Sequence, residues 1–173
     1  HLVQIFAQRQ KPGMRGRKAR PEQRDPMPQT NTAQERRTQS LHHIKVLLAA
    51  RNETLTLYGQ LAAKTPFEKH PSAKKLLQTF CAALVDYTAG AHFELYRYLD
   101  ENKERRQSVL RVADDTYPAI CDITQQILDF NDKYDCEDHC NLKELAADLS
   151  RIGELLADRA GLEDLLIHAM IDR

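Results

Sequence analysis

The chain has 173 residues with 25 basic and 25 acidic side chains and seven histidines, so its formal charge is zero. Tryptophan is absent, glycine and proline number only six and seven, and leucine and alanine dominate the apolar residues, a composition that favours helix over sheet in one domain with a real core. No apolar run approaches the ~20 residues of a membrane-spanning helix, which excludes that class of element.

The zero balance conceals a division along the chain. Residues 1–26 hold seven Lys/Arg against two acids, net +5, so the remaining 18 basic and 23 acidic residues are net −5. The first segment is rich in Gln, Arg, Pro and Gly and has little apolar content after "HLVQIFA". It cannot bury enough surface to offset the entropy of ordering, and it is expected to be a disordered basic tail or a non-native extension, since Met27 stands just ahead of the first helical pattern. A nucleic-acid arm is the other reading of such a tail. The basic run Arg15, Arg17, Lys18, Arg20 leads into polar sequence and not an apolar segment, so no signal peptide is read and the cytoplasm is expected.

From about Thr32 the helical period takes over and runs to Ala62, with Leu41, Ile44, Leu48, Leu55 and Leu61 on or near one stripe. "KTPFEKHPS" (64–72) breaks it, and Ser72 is a plausible N-cap for a second helix over about 73–101. The polar run "ENKERRQ" turns the chain into a third helix over about 105–134, expected to kink or restart at Tyr117-Pro118. "DKYDCEDHCN" (132–141) connects to a last helix over about 142–171, with Leu145, Leu149, Ile152, Leu156, Leu162, Leu165, Leu166 and Met170 on its apolar pattern. Four long helices with short connections predict an all-α, antiparallel up-down-up-down bundle over 27–173.

The second helix carries the informative pattern. Leu77, Cys81, Leu84, Thr88, Ala91, Leu95 and Tyr98 advance by three or four and face the core. Asp86 lies two residues from Leu84, about 200° around the helix, and points away; Ala82, Gly90, Phe93 and Arg97 share its side. Small residues beside an acid and an outward ring suit a docking face, because a partner helix can approach closely and the ring can anchor it. A solvated face with one exposed ring fits the same spacing.

"FCAALVDYTAGAHFELYRYL" (80–99) resembles the signature of the Rsd/AlgQ family of bacterial anti-sigma factors. "NTAQERR" (31–37), "ITQQILDFND" (123–132) and "LSRIGELLADRAGLEDLLI" (149–167) resemble that family's first, third and fourth helices, so the likeness covers about residues 27–172. The resemblance implies a helical bundle that binds the C-terminal, −35-reading region of the primary sigma factor of RNA polymerase and keeps it from core polymerase and promoter DNA. It implies no enzyme activity, no cofactor, no membrane contact and no direct DNA binding by the bundle. It places Asp86 on the sigma-contacting surface, with His92 and Phe93 adjoining. Where the family often has an Asp-Arg-Trp triplet in its first helix, this chain has Lys45, Val46 and Leu47, and Arg37 stands where some relatives have tryptophan.

The rival class is a haemerythrin-like metal-binding four-helix bundle, suggested by His42, His43, His92, "CEDHC" (136–140) and "HAMID" (168–172). Such bundles need Glu-x-x-His or His-x-x-x-Glu pairs repeated on facing helices, and no Glu-x-x-His occurs. Cys136, His139 and Cys140 are zinc-compatible but want a fourth ligand, and a polar interhelical turn is the simpler identity. His92 and Tyr96, four apart, read as a structural pair. Catalysis finds no phosphate loop, no nucleophile elbow and no base beside Cys81, whose place on the core stripe makes an inert thiol.

Overall fold

A computed structural model describes residues 33–91, Tyr96, 106–135 and 142–171 of the chain. Four helices follow one another: α1 Ala33–Ala62, α2 Ala73–Ala91, α3 Gln107–Tyr134 and α4 Leu142–Ile171. The expected tail (1–26), the continuation of the second helix over 92–95 and 97–101, and the "CEDHC" segment lie outside the described residues.

Contacts between named side chains fix the topology. Thr54 and Tyr58 of α1 meet Ala83 and Phe80 of α2, while Arg51 and Tyr58 meet Glu163 and Gly153 of α4. Phe80 meets Phe130 of α3, and Lys133 and Gln126 of α3 meet Asp148 and Arg151 of α4. In each pair a rising number on one helix meets a falling number on the other, which makes α1–α2, α3–α4 and α1–α4 antiparallel. The result is the up-down-up-down bundle that short connections favour.

The core line of α2 is as the period predicts, with Leu77, Cys81, Leu84, Thr88 and Ala91 all buried and Phe80 and Tyr87 beside them; Leu95 and Tyr98 are outside the described residues. On α1 the expected stripe is half wrong. Ile44 and Leu61 are buried, but Leu41, Leu48 and Leu55 are 40–41% exposed, and the buried line runs Ser40, Ile44, Leu47, Thr54, Leu61. Each exposed leucine follows a buried residue by one position, a rotation of about 100°, because two polar residues occupy core positions that an apolar count passes over. Thr54 is tolerated there because its hydroxyl bonds the carbonyls of Ala50 (2.9 Å) and Ala83 (3.2 Å). On α4, Leu165 is likewise 57% exposed instead of buried, since Leu166 and Ile167 take the inward positions.

α3 runs through Pro118 without the expected restart. Proline there removes the hydrogen bond to the carbonyl four residues back and crowds that carbonyl, but Pro118 lies on the solvent side, where the carbonyl can tilt outward to water. Between α1 and α2 a 3₁₀ turn, Phe67–Lys69, folds Phe67 under the bundle end. The Ser72 carbonyl then accepts from Leu76 N–H (3.1 Å), which makes Ser72 the residue that enters α2.

One close approach fixes how α4 sits on α1. A Cβ built on Gly153 would collide with the Tyr58 hydroxyl and lie 2.8 Å from its ring carbon. Tyr58 packs at a tilt against Phe80, ring centroids 6.1 Å apart, so swinging the ring away from Gly153 would give up that contact. Gly153→Ala is expected to lower stability by about 1–3 kcal/mol through overpacking, read from chemical denaturation, despite alanine's better helix propensity.

Candidate functional site

The outward face of α2 is the candidate surface, and its geometry follows from the helical period. Ala82, Asp86 and Gly90, spaced by four, form one line; Ala82 and Asp86 are exposed and Gly90 is half-buried, with nothing within 4 Å of where a Cβ would be. A partner backbone can therefore come close beside the Asp86 carboxylate. The structure brings these three residues together as the spacing predicts, whereas His92, Phe93 and Arg97 lie outside the described residues. On α1, Arg37, Lys45 and Val46 are exposed and Leu47 is buried, so three of the four departures from the family pattern are on the surface and the fourth is in the core.

The inward side of α2, about 100° around from Asp86 at Tyr87, is locked by a buried polar cluster. Tyr87 donates to Glu163 Oε2 at 2.6 Å, and Arg51 Nη2 donates to the same oxygen at 2.9 Å. Arg51 Nη1 reaches Asp164 Oδ1 at 2.6 Å. One turn back on α4, Arg159 lies with Nε 2.8 Å from Glu163 Oε1, off the hydrogen-bonding direction, so the contact is charge pairing. Its Nη1 donates to Thr124 Oγ1 at 2.8 Å, and its guanidinium lies 5.3 Å from the centre of the Tyr87 ring. Glu163 and Arg159 are 0% and 1% exposed.

This cluster takes a residue from every helix: Arg51, Tyr87, Thr124, and Glu163 with Arg159. Two cations meet two carboxylates, which is the condition for burying charge without leaving one uncompensated. Burial first, then the neighbouring Glu163 carboxylate, pushes the Tyr87 hydroxyl well above its usual range, so it is a standing proton donor. Neither Arg159 nor Glu163 was expected in the core. The available signal was positional: both fall on the line that continues Leu145, Leu149, Ile152 and Leu156, and they are four apart, the spacing of a helical ion pair.

Among the described residues the rival readings gain no geometry. Tyr96 is buried with its ring 5.4 Å from Tyr117, and its hydroxyl has no hydrogen-bond partner among the described residues. Burial raises the Cys81 thiol to about 12, so it is protonated at neutral pH. His168 Nδ1 is 2.6 Å from the backbone carbonyl of Asp164, and the His42 and His43 rings meet edge-on at 6.1 Å. Among the described residues, no three His, Cys, Asp or Glu side chains form a group that could hold a metal ion, and no helix is long and apolar enough to cross a membrane.

Comparison with known proteins is in line with this geometry. A family model described as "Regulator of RNA polymerase sigma(70) subunit, Rsd/AlgQ" matches residues 27–171. The chain is 35% identical over 130 residues to the "Regulator of sigma D" of Pectobacterium atrosepticum, covering 72% of this chain and 85% of the relative. It is 37% identical over 128 residues to the protein of the same name from Yersinia enterocolitica, covering 70% of this chain and 75% of that one. No solved structure matches the chain.

The cluster makes a quantitative statement about stability. Glu163→Gln keeps the side-chain shape but leaves two buried guanidinium groups facing one carboxylate, and it is expected to cost about 3–5 kcal/mol. Asp164→Asn, at the half-exposed rim, is expected to cost under ~1 kcal/mol. Urea denaturation of both variants against the parent measures the difference.

Proposed function

We propose that this chain, which belongs to the Rsd/AlgQ family, is a transcription regulator that sequesters the primary sigma factor of RNA polymerase by binding its C-terminal, −35-reading region. The bound region is then withheld from core polymerase and from promoter DNA. The observation that carries the reading is the outward line Ala82, Asp86, Gly90 on a helix held rigidly from behind. An acid flanked by small residues offers both a charge and room for a close helix, and a rigid face loses little entropy on docking.

Charge supports the choice of partner. Residues 27–173 carry a net −5, and a helix-turn-helix module that reads promoter DNA is basic, so long-range attraction favours encounter and orients it. His92, Phe93 and Arg97 extend the proposed surface along the same segment, with Phe93 as the apolar anchor. Sequestration needs a stable complex at a protein concentration above the dissociation constant and no chemical step, which fits a cytoplasmic, non-enzymatic role without a cofactor.

Asp86→Lys is the direct test of the surface. It places a cation opposite a basic target and is expected to weaken the complex with the C-terminal sigma region at least about tenfold, roughly 1.4 kcal/mol, with unchanged helix content by circular dichroism. Unchanged affinity in a folded variant would remove Asp86 from the interface.

A further inference from the structure

A second surface lies between α3 and α4 and shares no residue with the α2 line. A cavity of about 260 Å³ opens there, floored by Phe130, Ile152 and Leu155 and walled by Asp129 and Arg151. That volume is below the ~300–1,000 Å³ of small-molecule sites, and it suits one long side chain. Beyond the cavity, exposed residues recur by heptads along both helices. Asp115, Asp122 and Asp129, seven apart and exposed, run along one flank of α3, and Arg151, Asp158 and Leu165, seven apart, run along the facing flank of α4. The Gln126–Arg151 hydrogen bond (3.1 Å) and the Lys133–Asp148 ion pair (2.6 Å) bring this side of α3 against this side of α4 at the level of the cavity.

The charges here are not balanced. Lys133 is already held by Glu144 and Asp148 at 2.6 Å each, and Arg151 by Glu154 at 3.1 Å. Asp115, Asp122, Asp129 and Asp158 have no cation partner among the described residues; Asp129 accepts only from the Gln125 amide, at 2.8 Å. Leu165, the most exposed large apolar side chain among the described residues, lies seven residues beyond Asp158 on the same flank of α4.

We propose that the α3–α4 groove is a second docking site, for a basic amphipathic helix of a partner protein. Its occupant presents arginines one heptad apart to Asp122 and Asp129, which are about 10.5 Å apart along the axis, the rise of seven helical residues. One arginine lays its methylene stem on Phe130, Ile152 and Leu155 and brings its guanidinium to Asp129. An apolar residue of the occupant meets Leu165. Two antiparallel helices leave a furrow in which a third packs lengthwise, whereas an extended strand would repeat its side chains at a shorter interval than these carboxylates. The site is independent of the α2 face, so the bundle can hold two partners at once.

The test uses the full chain and two synthetic three-heptad helical peptides. One carries arginine once per heptad with leucine four residues on; the control carries glutamate in place of each arginine. The arginine peptide is expected to bind by fluorescence anisotropy and to shift backbone amide resonances of α3 and α4. The double change Asp122→Lys, Asp129→Lys should weaken it at least about tenfold and Leu165→Gln several-fold, while Asp86→Lys leaves it unchanged. If the double variant does not fold, Asp129→Asn is measured instead, with a smaller loss in the same direction. Equal binding of the glutamate peptide, insensitivity to the Asp129 changes, or shifts confined to α2 would overturn the proposal. Displacement of the peptide by the C-terminal sigma region would also overturn it, because the groove would then belong to the first partner.

Discussion

Glu163 is the carboxylate on which the interior depends. It is buried from water; Arg51 from α1 and Tyr87 from α2 hydrogen-bond one of its oxygens, the charge of Arg159 from its own helix lies beside the other, and Arg159 passes the connection on to Thr124 of α3. Apolar packing alone would let neighbouring helices slide or rotate by small amounts at little cost, because leucine contacts are not directional. Charge-assisted hydrogen bonds at 2.6–2.9 Å carry direction, and this set pins the relative rotation of four helices at one level of the bundle. Such a cluster adds less to net stability than its Coulomb energy suggests, since desolvation consumes much of the gain. What it secures is one arrangement.

That arrangement sets where α2 points. Tyr87 is tied inward by Glu163, and Asp86, one residue earlier, is turned outward by about 100°. The line of Ala82, Asp86 and Gly90 is then the outer surface of a helix whose inner surface has no freedom to roll. Phe80, packed at a tilt on Tyr58 and edge-on to Phe130, holds the same helix two turns earlier. A recognition face on a locked helix differs from one on a loop in that its geometry exists before the partner arrives.

The class and course of the fold are legible from sequence because apolar residues on α2, α3 and most of α4 follow the 3.6-residue period with little interruption, and Ser72 and the "KTPFEKHPS" break mark the first turn. On α1 Ser40 and Thr54 sit in the core line while Leu41, Leu48 and Leu55 flank it, so a count of leucines selects a meridian displaced by one residue. At Pro118 the missing hydrogen bond is legible in sequence and suggests a kink or a restart, whereas the solvent-side position that lets the helix continue is not legible. The outward placement of Asp86 and Ala82 followed from spacing alone. The cluster behind them did not, because burying a charge depends on partners from three other helices, and the distance from Arg51 to Glu163 along the chain gives no local sign of their meeting.

Calorimetric titration of the chain with the isolated C-terminal region of the primary sigma factor, at low and at high salt, is the most direct test of an acidic recognition face on a rigid bundle. A one-to-one complex whose affinity falls as salt rises is expected, because screening weakens attraction between net-negative and basic surfaces. No binding, or an affinity indifferent to salt, would contradict it.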